Sequence, residues 1–209
     1  MARPKGDAQV NAARRLDILR AAFEVFSQSG YQGGSLSQIS EIVGITEAGI
    51  LHHFKTKANL LTAVLEYRDV LTEARFIDEG DDGIGFVNGW ISTVEYNISV
   101  PGMVELFCVL SAEATKQDHP AHEFFKVRYG KTINLATNAM VSLQEAGHIY
   151  SDLNPEDLGR ALIALSDGLQ VQWLLDRNWD MLEEHKAFFR RILNDDGIKL
   201  KALANSLSA

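Results

Sequence analysis

Apolar residues recur at intervals of three and four along almost all of this 209-residue chain, while the period-two alternation of Val, Ile and Thr that marks strands is scarce. Side chains three and four positions apart share one face of an α-helix, so this spacing predicts an all-α fold. The first helix is expected over about 8–29, with a stripe of Leu16, Leu19, Phe23 and Phe26 and Ala22 beside it. Gly30 follows, the residue that most easily takes the left-handed conformation that ends a helix. Asp78-Glu79-Gly80-Asp81-Asp82-Gly83, acidic and glycine-rich, reads as the clearest loop. Beyond it the spacing predicts helices near 84–99, 101–117, 121–145, 155–177 and 181–193, and a short one near 198–207. Pro101, Pro120 and Pro155 stand at first-turn positions, where a missing amide costs nothing.

The densest punctuation lies between residues 35 and 57. Ser35-Leu36-Ser37-Gln38 pairs a serine with a glutamine three residues on, so each side chain can satisfy the other's free backbone amide at a helix start. A short helix of about 36–43 is expected to turn Ile39, Ile42 and Val43 inward. Gly44 breaks it, Ile45 packs under the turn, and Thr46 can cap a third helix of about 47–53. Phe54 and Lys55 end that helix, and Thr56 caps a long fourth through about residue 77. Two short helices joined by a glycine turn make a helix-turn-helix at about 35–53, whose second helix is small enough to enter a major groove about 12 Å wide. With Ile45, Ile50 and Phe54 turned to the bundle, Thr46, Glu47, Ala48, Gly49, His52 and His53 face outward as candidate DNA contacts. Ala48 and Gly49 are small enough for close backbone approach. Ser35, Lys55, Thr56 and Lys57 complete the set, the last three at a helix start, where free amides and the helix dipole attract phosphate. Lys57 is the first choice for a phosphate contact.

A formal net charge of -8 argues against a nucleic-acid partner until its distribution is considered. Residues 1–57 hold seven bases and five acids, whereas the remaining chain holds thirteen bases and twenty-three acids. A mildly basic front on an acidic body directs the front toward phosphate. No apolar run approaches the roughly 20 residues that span a bilayer. The segment Met1–Asp7 has basic residues with no apolar stretch behind them, so no secretory signal is expected and the cytoplasm is the expected location. A single cysteine, Cys108, excludes an internal disulfide framework and is expected to be a buried core residue.

The residues Ile18-Leu19-Arg20-Ala21-Ala22-Phe23, Phe26, Gly30, Tyr31, Ser35-Leu36-Ser37-Gln38-Ile39 and Val43-Gly44-Ile45-Thr46 carry a resemblance. It continues through Gly49-Ile50-Leu51-His52-His53-Phe54-Lys55-Thr56-Lys57 and Leu60-Leu61. Over about 12–66 the chain resembles the tetracycline-repressor (TetR) family of bacterial regulators. Asp167-Gly168-Leu169-Gln170 with Trp173 and Leu174 is a weaker echo of the penultimate, dimer-forming helix of many members. The resemblance implies a three-helix DNA-binding head, an all-helical effector-binding and dimerisation body, and repression relieved by a small molecule. Two positions depart from the pattern. Leu51 stands where a tyrosine is common, and Glu47 where a basic or polar residue is common; a carboxylate there can still accept from cytosine N4.

The expected organisation is a DNA-binding domain at 1–57, a joining helix at about 56–77, and an effector-binding and dimerisation domain at 58–209. Trp90, Met103, Phe107, Tyr129, Asn134 and Trp173 are the candidate effector-pocket residues, an aromatic and sulfur-rich set with a polar group. The helices near 155–177 and 181–193 are apolar over so wide an arc that they need a second partner, most simply a two-fold mate. Leu162, Leu165, Leu169, Phe188 and Ile192 are the candidates for that homodimer interface. His119 and His122 have a spacing that can ligate metal, but no further ligand group completes a site, so no metal and no cofactor is expected. An enzyme is disfavoured because the chain has no nucleophile elbow, phosphate-binding glycine loop or paired ligand motif. The expected partners are double-stranded operator DNA, a small-molecule effector and a second copy of the chain; the alternative is a helical dimeric interaction protein without DNA activity.

Overall fold

In the computed structural model the backbone is described over residues 5–77, 83–198 and 207, and side chains over 9–70, 83–197 and 207. The elements are helices: α1 (Lys5–Gly33), α2 (Leu36–Val43), α3 (Glu47–Phe54), α4 (Lys57–Ile77), α5 (Gly83–Ser99), α6 (Pro101–Glu113), α7 (His122–Glu145), α8 (Pro155–Leu175), α9 (Met181–Ile192) and α10 (Asp195–Ile198). Among the described residues there is no strand, and Ile149 and Leu193 form one isolated antiparallel bridge. No helix of the described residues is long and apolar enough to cross a membrane. Most of the expected 78–83 loop and of the 198–207 helix lies outside the described residues.

The chain divides into two compact units, Met1–Val70 with Glu105–Phe125, and Leu71–Val104 with Lys126–Ala209. The first unit therefore extends well past the expected boundary at residue 57. Its core gathers Ile18, Ala22, Val25 and Phe26 of α1, Ile39 of α2, Ile50 and Phe54 of α3, and Leu60, Leu61, Val64 and Leu65 of α4. The buried face of α1 is rotated from the expected stripe, so Leu16 and Phe23 are only half-buried. Ile42, expected to point inward, is 53% exposed, because a helix of two turns buries one narrow face and Ile39 occupies it. Helix α1 breaks at Gly30, whose φ of 65° and ψ of -175° belong to a region open essentially to glycine alone.

Helix α6 ends at Glu113, four residues earlier than the spacing suggests. The Thr115 hydroxyl donates to the Ala112 carbonyl at 2.8 Å, and a ring nitrogen of His122 reaches the Ala114 carbonyl at 2.8 Å, so side chains take up the end of the helix. His119 Nδ1 accepts the Ala121 amide at 3.2 Å. Both imidazoles thus hold the backbone of this turn. Cys108 is half-buried rather than fully enclosed.

In the second unit, α9 packs against α5 and α8. The core draws on Phe86, Val87, Trp90, Ile91 and Val94 of α5, Met140 and Leu143 of α7, Leu162, Ile163, Leu169 and Trp173 of α8, and Met181, Phe189 and Ile192 of α9. Helices α7 and α8 approach closely at Gly159, where a Cβ would sit 2.5 Å from Thr137 Oγ1 and 2.8 Å from the Thr137 backbone nitrogen. His185 is fully buried between α8 and α9: one ring nitrogen meets the Met181 carbonyl at 2.8 Å and the other the Ser166 hydroxyl at 3.2 Å. A carbonyl only accepts, so Nδ1 carries the proton and Nε2 accepts from Ser166. Burial lowers the His185 pKa below its usual value and keeps the ring neutral.

Candidate DNA-binding interface

The reading helix is held at both ends by its own sequence. Ser35 caps α2 from an extended conformation: its hydroxyl accepts the Gln38 amide at 3.2 Å, and Gln38 Oε1 accepts the Ser35 amide at 2.8 Å. Gly44 closes α2 in the left-handed region, at φ 70° and ψ 37°, and its amide and that of Ile45 both return to the Ser40 carbonyl. Thr46 then caps α3 by accepting the Gly49 amide at 3.1 Å. Each such cap is worth about 1 kcal/mol, and together they fix the angle between α2 and α3.

The exit from α3 is tighter. Lys55 has φ 69° and ψ -49°, and the Thr56 amide bonds to the Phe54 carbonyl across it at 2.8 Å. This is the positive-φ γ-turn, a strained conformation for a residue with a Cβ. It reverses the chain within one residue, so that Thr56 can cap α4 by accepting the Asn59 amide at 3.0 Å.

With Ile50 and Phe54 buried, Thr46, Glu47, Ala48, His52, Lys55 and Thr56 are exposed, and Ser35, Gly49, His53 and Lys57 are half-buried. The expected contact residues therefore all keep accessible surface, and all lie in the first unit. Space around Gly49 is ample, since an added Cβ would come no nearer than 3.5 Å to Thr46 Oγ1. Lys57 is placed differently from a free phosphate ligand: its Nζ donates to the Tyr31 carbonyl at 2.6 Å and lies 4.4 Å from the centre of the Tyr31 ring. Burial lowers the Lys57 pKa, and the nearby Glu113 carboxylate partly offsets that.

Arg15 is a residue that the sequence reading missed. Its guanidinium sits 4.2 Å over the Phe54 ring and donates to the His53 carbonyl at 3.4 Å, remaining exposed at the end of α3. The paired Arg14-Arg15 immediately before the α1 core was the available signal. Burial lowers the His53 pKa, and the positive charges of His52, Arg15 and Arg14 add to that. Glu113 also joins this unit from a distance: Oε2 accepts the Tyr31 amide at 2.9 Å and lies 3.5 Å from His119 Nε2. A pair 82 residues apart leaves no local trace in the sequence.

The expected body residues are dispersed. Phe107 belongs to the first unit, where its ring meets Phe125 at 5.4 Å and the Arg68 guanidinium at 4.9 Å. Trp90, Met103 and Trp173 are buried in the second, and Tyr129 donates to Asp167 at 2.8 Å. Asn134 is exposed on α7, which corrects its expected place in a pocket: the apolar face of that helix turns Ala136, Ala139 and Met140 inward instead. Of the expected dimer residues, Leu162, Leu169 and Ile192 are buried inside the protomer and have no surface for a mate, whereas Leu165 and Phe188 keep partial exposure.

A capped helix-turn-helix with an exposed second helix and arginines at its end, in an all-helical chain, defines a helix-turn-helix DNA-binding protein. Residues 18–64 match the family described as bacterial regulatory proteins, tetR family. Residues 18–64 thus carry that family's DNA-binding module, and the chain is a DNA-binding transcriptional regulator and not an enzyme. It is 28% identical over 156 residues to the HTH-type transcriptional regulator UidR of Escherichia coli (strain K12), covering 74% of this chain and 79% of that one. The fold is similar to that of a TetR-family regulator from Agrobacterium tumefaciens, with a TM-score of 0.77 and 18% identity over 88% of this chain and 100% of the other. It is also similar to a transcriptional regulator from Saccharomonospora viridis solved in complex with choline, with a TM-score of 0.75 and 19% identity over 88% and 99% of the two chains.

Proposed function

We propose that the chain is a homodimeric repressor that seats two copies of α3 in successive major grooves and leaves its operator when a small molecule binds the second unit. The observation that carries this is α3 itself: capped at Thr46, turned sharply at Lys55, and exposed at Glu47, Ala48 and His52. Thr46, Glu47, Ala48, Gly49, His52 and His53 meet the groove. Ser35, Lys55 and Thr56 position the head on phosphates with Arg15, and Lys57 acts through its backbone amide and its hold on Tyr31.

Dimerisation is supported by an exposed stripe on α8. Ala161, Ala164, Val171 and Leu175 are exposed at spacings of three, seven and four, with Gly168 between them, and Leu175 is 84% exposed. Small residues at one end allow two helices to approach closely, and the larger apolar pair supplies area worth burying. The interface thus uses the outer face of α8 in place of the buried Leu162 and Leu169. Effector control is supported by the choline-bound protein of similar fold. Affinity for DNA then falls by the effector's differential binding to the two states.

Footprinting on the DNA upstream of the chain's own gene tests this reading. Two protected segments about 34 Å apart are expected, one per protomer. The double variant Val171→Glu, Leu175→Glu should sediment as a monomer and lose the paired footprint. A single protected segment, or an unchanged sedimentation coefficient in the double variant, would overturn the dimer through α8. Deleting the gene should raise expression from that promoter; a fall would make the protein an activator.

A further inference from the structure

Helix α5 carries four buried side-chain atoms that have no hydrogen-bond partner, Asn88 Oδ1, Trp90 Nε1, Thr93 Oγ1 and Asn97 Oδ1, of which the last three share one face. Trp90 is 9% exposed and Asn97 4%. At 100° per residue the three positions, with Phe86, fall within an arc of about 60°, and Trp90 and Asn97 stand about 10 Å apart along the axis. They form one strip, begun at its N-terminal end by the Phe86 and Trp90 rings, whose centres are 5.6 Å apart.

Leaving a buried polar atom unsatisfied costs its full desolvation, so three on one strip of one helix need a reason. Local bonding does not supply it. Thr62 and Thr132, on α4 and α7, return their hydroxyls to the carbonyl four residues back, at 3.2 and 2.9 Å. Thr93 sits on an equally regular helix and does not. The neighbouring His185–Ser166–Gln170 group on α8 and α9 is bonded within itself. Orphaned atoms also occur singly at Asn88, Thr137 and His148, but on this strip three line up with a defined chemistry: an indole N–H that only donates, an amide oxygen that only accepts, and a hydroxyl that does either. The strip holds no charge, and Glu95, the charged residue of α5, is exposed on another side of the helix. An ion brought there would lose its hydration without gaining a counter-charge from α5.

We propose that this strip is the effector-recognition element of the second unit and that it selects an uncharged molecule. Such a molecule presents a carbonyl or ether oxygen to Trp90 and a hydroxyl or amide N–H to Asn97, with Thr93 bonding between them and Phe86 covering its apolar part. This rests on the effector-responsive reading above and narrows it to a ligand class.

The test uses the full-length protein labelled with 15N-tryptophan, which has three indole signals; the Trp90 signal is the one missing in Trp90→Phe. Three probes with the same apolar tail are titrated: hexanamide, hexanoate and hexyltrimethylammonium. Hexanamide should move the Trp90 signal saturably and raise the melting temperature, and the two ions should bind at least about tenfold more weakly because each is desolvated without a partner. Thr93→Val and Asn97→Leu should each weaken hexanamide binding while raising the melting temperature of the unliganded protein, since each removes an orphaned polar group. No saturable shift with hexanamide, equal or tighter binding of either ion, or a water bound to the indole that no probe displaces would overturn the proposal. Operator release measured on the same samples separates the two readings. If only an ion releases DNA, effector control stands and the uncharged-ligand proposal falls.

Discussion

Lys55 shows how a single residue can serve the site against its own conformational preference. A lysine with φ 69° in a γ-turn stores strain of order 1 kcal/mol that glycine would not. Both Lys55→Gly and Lys55→Ala remove the charge, so their difference isolates the backbone. In urea unfolding the glycine variant should be more stable than the alanine variant by about 1 kcal/mol, the reverse of the usual order. Equal stabilities would mean that the turn is unstrained. His185 gives a second prediction at this scale. Its folded pKa is depressed by burial, so its contribution to stability is fully present above about pH 6.5, the ordinary histidine value. Below that pH the unfolded chain takes up a proton that the folded chain refuses, and the contribution is lost as pH falls toward the folded pKa. Between pH 8 and pH 5 the wild type should therefore lose more unfolding free energy than His185→Gln; identical losses would remove His185 from the account.

Among the elements, the helices of the head were legible because their punctuation is local. Ser35 with Gln38, Gly44, Thr46 and Thr56 lie within a turn of the amides or carbonyls they satisfy, and each performs the role its spacing implies. What was not legible is tertiary. The choice of Ile39 over Ile42 depends on the direction from which α1 and α3 approach, and the exposure of Asn134 on which side of α7 meets its neighbours. The α8 candidates failed in part for the same reason: periodicity marks Leu162 and Leu169 as apolar but does not distinguish a protomer core from a dimer face. The contact of α7 with α8 at Gly159 is likewise silent in sequence, although it has a measurable consequence. Gly159→Ala, which on an open helix surface would add up to about 1 kcal/mol of stability, should instead cost about 1–3 kcal/mol, because the new methyl meets the Thr137 backbone. A more stable variant would show that the two helices separate readily.

Taken whole, the molecule carries a small basic excess over residues 1–57 and its acidic excess over the rest of the chain. Arg14, Arg15 and Lys55 are exposed near α3, in a chain whose net charge is -8. This balance favours a modest, salt-sensitive affinity for DNA in general, with sequence discrimination left to the exposed face of α3. The family pattern made DNA binding legible from residues 12–66, whereas the membership of 105–125 in the same compact unit rests on contacts such as Glu113 with Tyr31 that join distant parts of the chain. The most direct test is fluorescence anisotropy on duplex DNA from upstream of the chain's own gene, comparing wild type with Ala48→Glu at several salt concentrations. Ala48 is exposed, so the variant keeps the fold while setting a second carboxylate beside Glu47 on the reading face. The wild type should bind with an affinity that falls as salt rises, and the variant should bind at least about tenfold more weakly at every salt concentration, as like charges meet across the interface. No binding by the wild type at low salt, to this duplex or to a pool of genomic fragments, or equal binding by the two proteins, would contradict the assignment of α3 as the DNA-reading helix.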